Sequence, residues 1–215
     1  MAKGVAKPTG PADEQVRLLL VLYRCPVPFH IVRTRILGSI ASPELEISPI
    51  ETVKSLWGEG ASKLKSDASL SELVEALVNG LWYRLARHQE RKVPFRLLRI
   101  DVPLDRDGLA KLALIRREEL QGFVEGLFGP KQELHLPERA YRALDQLSEI
   151  REFFLWTVQG VRSDALEPAI QAEITNTVGT LTRIAEHEIH EAVLSCTRAR
   201  RAMLRGLAAR KTTLH

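Results

Sequence analysis

The feature that most limits the fold is the spacing of the apolar residues between Ser69 and Glu90. Leu70, Val74, Leu77, Leu81 and Leu85 recur at intervals of three or four residues. That period lines side chains along one side of an α-helix, whereas a strand would need strict alternation. Ser69 followed by Glu72 has the form of a capping box, which satisfies the free N–H groups of a first helical turn. The spacing therefore predicts a helix over 69–90.

Prolines cut the rest of the chain into similar pieces. A helix is predicted from about Asp13 to Arg24, stopped by Pro26 and Pro28, which lack a backbone N–H and restrict the residue before them. A second is predicted over Phe29–Ile40. Ser48-Pro49-Ile50-Glu51 supplies a cap, a proline at the first helical position and a glutamate three residues after the cap. Asp105 or Asp107 caps a further helix, to about Phe128. The turn-rich stretch GPKQELHLP then marks a boundary. Two long helices are predicted beyond it, from Pro137 to about Gly160 and from Asp164 or Pro168 to about Leu207. Residues 1–11 are predicted to be a disordered tail. Val93–Pro103 is the one segment predicted to be extended.

Helices joined by short polar connections give an all-α class: a multi-helix bundle with a long C-terminal helical hairpin. The predicted units are a helical domain over 12–129 and the hairpin over 137–208, packed on it or standing away as a dimerisation arm. Composition agrees with this reading. Of 215 residues, 45% are hydrophobic, 27% charged and 6% aromatic. A net charge of +4 is too small to imply nucleic acid without a local patch. Cys25 and Cys196 form no motif, so a disulfide framework is not expected. LLLVLY, the longest apolar run, is far short of the ~20 residues that a bilayer span takes. No signal peptide is expected at the start, and the expected location is the cytoplasm, with no membrane partner.

Polar residues on apolar faces are the informative exceptions. His88 extends the stripe of the Ser69–Glu90 helix. Arg116 sits in the face made by Leu109, Leu112, Leu120, Phe123 and Leu127. Glu188 sits among Ile174, Val178, Leu181, Ala185, Ala192 and Cys196. A charge on a buried face must be paired or neutralised. The expectation is that Arg116 meets Glu188 with His88 nearby, either as a structural network or as a shielded pocket with shifted pKa values. Gly122 and Gly126, four apart, are expected to let another helix come close.

Two further clusters carry candidate chemistry. EHEIHE places His187, His190 and Glu191 within one helical turn and a half. The two histidines are three apart, not the four of H-E-x-x-H, and neither has the Glu three residues earlier that a di-iron helix needs. A metal held by His187, His190 and Glu191 is the alternative to a solvated face with local Glu–His pairs. Arg198, Arg201 and Arg205 share one side of the last helix. They suit a phosphate or nucleic-acid contact, although no aromatic side chains interleave them as stacking platforms. Cations there also complement the helix dipole. There is no G-x-S-x-G, no Walker A and no G-x-G-x-x-G, which disfavours the common nucleotide enzymes.

SPIETVKSLWGEG, SLSELVEALVNGLWYRLARHQE, VPFRLL and ELQGFVEGLFG, within residues 42–129, resemble the YecA/YgfB-like family of small all-helical bacterial proteins. The resemblance implies an all-α fold and no particular activity. Some members of that family carry a Cys-rich zinc-binding tail, related to one on the SecA translocase. This chain lacks it, so that zinc function is not implied.

These readings lead to a cytoplasmic regulator or adaptor, without enzymatic activity or a cofactor, that works through protein–protein contact and forms a homodimer through its C-terminal helices. The alternatives are a helical-bundle metalloprotein or enzyme built on the Glu186–Glu191 cluster, and a nucleic-acid binder using Arg198, Arg201 and Arg205.

Overall fold

The computed structural model describes residues 11–45, 47–58, 67–103, 105–131, 133–161 and 167–212. All regular structure among them is helical. The tail predicted over 1–11 (apart from Pro11), the Ser69 side chain of the predicted capping box and Asp164 as a helix start lie outside what is described.

The helices are α1 (Pro11–Leu22), α2 (Phe29–Ala41), α3 (Pro49–Ser55), α4 (Asp67–Val74), α5 (Tyr83–Ala86), α6 (Arg106–Phe128), α7 (Glu138–Gly160) and α8 (Pro168–Thr212). Ser48 caps α3 as its sequence predicts, its Oγ accepting from the Glu51 N–H at 3.3 Å. Asp105, rather than Asp107, caps α6 through the Gly108 N–H at 2.8 Å. The glycine closing α6, Gly129, has φ +58°, a left-handed conformation that a side chain would strain. Between α1 and α2 the same region is occupied by Arg24, with φ +50°.

The predicted Ser69–Glu90 helix is not uniform. Between α4 and α5, Glu75–Trp82 forms a wider π-helical stretch, and Arg87–Gln89 closes as a 3-10 turn. The buried positions explain the widening. Leu73, Leu77, Leu81 and Leu85 are all buried, a strict repeat of four. In a regular α-helix that repeat drifts by ~40° per step. A wider turn takes up the drift and keeps all four facing inward. Leu73 is fully buried in the core, and the expected Val74, half-buried, packs against it.

The centre of the bundle is the contact between α2 and α6, and small residues make it possible. A Cβ on Gly126 would strike the Arg35 carbonyl, one on Gly38 the Phe123 carbonyl, and one on Gly122 the Thr34 hydroxyl. The two helices therefore touch backbone to backbone, as the Gly122/Gly126 spacing predicts. They run parallel: Ile31 and Thr34 lie against Gly122, and Arg35 and Gly38 against Gly126 and Leu127. Polar contacts flank the seam, a hydrogen bond between His30 Nε2 and Glu118 at 2.8 Å and an ion pair of Arg35 with Glu125. The Ser39 hydroxyl donates to the Gly126 carbonyl at 3.2 Å.

α7 packs on α6, and α8 packs antiparallel on α7. One continuous apolar core runs from Val16 of α1 to Cys196 of α8. No helix among the described residues is long and apolar enough to cross a membrane.

Candidate functional site

The segment predicted to be extended, Val93–Pro103, forms neither helix nor strand. Its buried N–H groups still need acceptors. Two glutamates supply them. Glu186 of α8 accepts from the Leu97 N–H at 3.0 Å and from Arg96 Nη1 at 2.9 Å. Glu119 of α6 accepts from the Leu98 N–H at 2.9 Å and pairs with Arg116, one turn earlier. Consecutive peptide groups are thus held from two helices, while Phe95, Leu97 and Leu98 enter the core. Burial raises the Glu119 pKa, opposed by the Arg116 charge and the Leu98 hydrogen bond.

The expected meeting of Arg116 and Glu188 does not occur. Arg116 is buried and turns to Glu119 on its own helix. Glu188 is also buried, and meets Arg139 of α7 through two hydrogen bonds, at 2.5 and 3.0 Å. That forked contact raises the Arg139 pKa. Arg139 lies at the start of α7 in the antiparallel pair, opposite Glu188, whereas Arg116 has a partner within reach at i+3. The third residue, His88, bonds through Nδ1 to the Val93 carbonyl at 2.9 Å and packs its ring edge against Phe95. His88, Arg116 and Glu188 therefore belong to three separate polar contacts.

The EHEIHE cluster is not the solvated face expected of it. Glu186, Glu188 and His190 are all buried, because the middle of α8 is covered on most sides. His187 alone of the two histidines faces out, and its Nε2 is 3.9 Å from Glu188. Glu191 lies 3.8 Å from Arg91 and 3.7 Å from Arg139. His187, His190 and Glu191 are close enough to feel one another's charge, but His187 is exposed, His190 is buried and Glu191 is engaged by Arg91 and Arg139. Among the described residues no three His, Cys, Asp or Glu side chains gather as a metal would need. Burial lowers the pKa of both His190 and His88, and lifts the Cys196 thiol to about 12. A thiol so far from ionisation makes a poor nucleophile.

Exposed apolar side chains gather on α1, at Leu18, Val21 and Leu22, and at the end of α8, where cations accompany them. Arg200 donates to the Ile40 and Ser42 carbonyls, at 3.0 Å each, and so closes the C-terminal end of α2. Beyond it the helix continues with every described side chain exposed as far as Ala209. Met203 and Leu204 are each 50% exposed and Leu207 45%. Arg198, Arg201 and Arg205 share the other side and border a shallow depression with Ala202 and Leu204. From Ala192 onward the sequence has six cations and no acid.

Sequence reasoning missed the roles of Glu119, Glu186, Arg139 and Arg200. Only the first left a trace, the i,i+3 spacing from Arg116. The fold and this surface define the chain as a helical-bundle protein whose last helix ends in an exposed cationic arm. No family model, curated protein or solved structure matches it.

Proposed function

We propose that the protein acts through protein–protein contact, as a cytoplasmic regulator or adaptor, and that the end of α8 carries the contact. The supporting observation is the row of half-exposed side chains, Met203, Leu204 and Leu207, on a helix that extends past the body. Apolar groups left in water on a well-formed helix are favourable docking sites, because burying them removes apolar area from solvent. The kinship with YecA/YgfB-like proteins over residues 42–129 is part of this proposal and adds the expectation of a bacterial helical protein. A homodimer through the same helix end is one form the contact can take.

The nucleic-acid reading has one specific observation in its favour, the exposed side shared by Arg198, Arg201 and Arg205. Binding to duplex or single strands that falls steeply with salt would support it.

Sedimentation of the purified chain and of the same chain in fresh native extract tests the proposal. A mass above 24.2 kDa that Met203→Ser/Leu204→Ser/Leu207→Ser abolishes is the expected result. A monomer in both settings would overturn it.

A further inference from the structure

We infer that Arg17 of α1 and Arg33 of α2 together bind a phosphate group at the junction of those two helices. The guanidinium of Arg17 lies over the Phe29 ring, 4.8 Å from its centroid. Arg33, one turn further along α2 and on the same face as Phe29, lies over the Phe95 ring at 5.5 Å. Arg17, Arg84, Asp13 and Glu119 are all near enough to act on the charge of Arg33.

The charges of this cluster do not balance. Asp13 pairs with Arg84 at 2.7 Å, and Glu119 pairs with Arg116. Both carboxylates are thereby taken, and the charges of Arg17 and Arg33 are left over. Neither has a carboxylate partner among the described residues, and Arg33 makes one long hydrogen bond, from Nη2 to the Arg96 carbonyl at 3.4 Å. Arg17 Nε and Arg33 Nη1 are shielded from water and have no acceptor. A shielded charged donor without an acceptor is costly, and two neighbouring ones also repel each other. Burial accordingly lowers the Arg33 pKa, and the charges of Arg84 and Arg17 add to that shift.

The chemistry of the cluster selects the ligand. A dianion balances two cations, and the oxygens of a phosphate group offer several acceptors to the flat fork of each guanidinium. Chloride offers a single point of contact. Both arginines stay partly open to solvent, which gives an ion access. The site lies in the body of the protein and does not involve the arginines at the end of α8.

Isothermal titration calorimetry of the full chain with inorganic phosphate, at an ionic strength held constant with chloride, tests this. The expected result is one saturable site with a dissociation constant of about 1 mM or tighter. Arg17→Gln and Arg33→Gln should each weaken it about tenfold or more, since each removes a charge-assisted contact. Circular dichroism in phosphate-free buffer checks that the variants are folded, and either one alone carries the test. Arg198→Gln/Arg201→Gln/Arg205→Gln should leave the affinity unchanged. Titration with phenyl phosphate separates two sources that both support the site: tighter binding than inorganic phosphate marks the end group of a larger ligand, and weaker binding marks the free ion. No saturable binding up to about 10 mM phosphate, or binding that both single variants retain, would overturn the inference. So would binding that only the α8 substitutions remove, which would mark an adventitious ion on the exposed arm.

Discussion

Glu119 and Glu186 grip neighbouring peptide groups of one unpaired segment, Glu119 at the Leu98 N–H and Glu186 at the Leu97 N–H. They come from α6 and α8, so this segment ties those two helices together in addition to their direct contact. Glu119 also neutralises the buried Arg116. Glu119→Ala should therefore cost about 3–5 kcal/mol, the range for breaking a buried pair from one side. Glu186→Ala leaves one buried N–H without an acceptor and should cost about 1–3 kcal/mol. Urea unfolding measures both. A loss below about 1 kcal/mol in Glu119→Ala would contradict the assigned role.

The partner of Glu188 is Arg139 and not Arg116, and double-mutant cycles can separate the two pairs. Coupling between Arg139 and Glu188 should be about 1–3 kcal/mol, and that between Arg116 and Glu188 no more than about 0.5 kcal/mol. Equal couplings would show that the charges form one network.

Opposite outcomes are predicted for a glycine inside the α2–α6 seam and one outside it. Gly126→Ala forces a methyl group against the Arg35 carbonyl and should destabilise by about 1–3 kcal/mol. At the exposed Gly179 of α8 an added Cβ meets nothing within 4 Å. Gly179→Ala should stabilise by up to about 1 kcal/mol through helix propensity alone. Thermal melting of the two variants decides.

Much of the architecture was legible because it rests on local rules. The 3.6 period, the Ser48 and Asp105 caps, the proline stops and the paired glycines each act within a few residues. Arg116 and Glu188 were also recognisable as charges on apolar faces. Their partners were not, since each charge has several arginines or carboxylates within reach of some fold and only packing selects one. EHEIHE misled for the same reason. Burial of Glu186 and His190 depends on what surrounds α8, and a single helix's period does not carry that information. The π-helical stretch was hidden because the widening follows from which leucines the core admits.

Stability should fall on mild acidification. His88 and His190 both have pKa values lowered below the usual 6.5 by burial. Around His190 stand Arg91, Glu191, His187 and the Arg91 main chain, and around His88 stand Arg33, Arg87 and His190. Below about 6.5 the unfolded chain binds protons that the folded chain resists. The stability present above that pH is lost as pH falls through the folded values. Glu119 acts the other way, since its raised pKa makes the folded chain the better proton binder above 4.5. Melting between pH 7.5 and 5.5 should show a drop that His190→Leu reduces. An unchanged slope in that variant would rule out His190 as a contributor.

The claim that the exposed end of α8 is a protein-binding surface is tested most directly by the hydrodynamic mass of the protein in fresh native extract. The wild-type chain should sediment as a species heavier than 24.2 kDa, and Met203→Ser/Leu204→Ser/Leu207→Ser should return it to the monomer without loss of helix content. A wild-type chain that sediments as a monomer, or a complex that the triple variant leaves intact, would contradict the account.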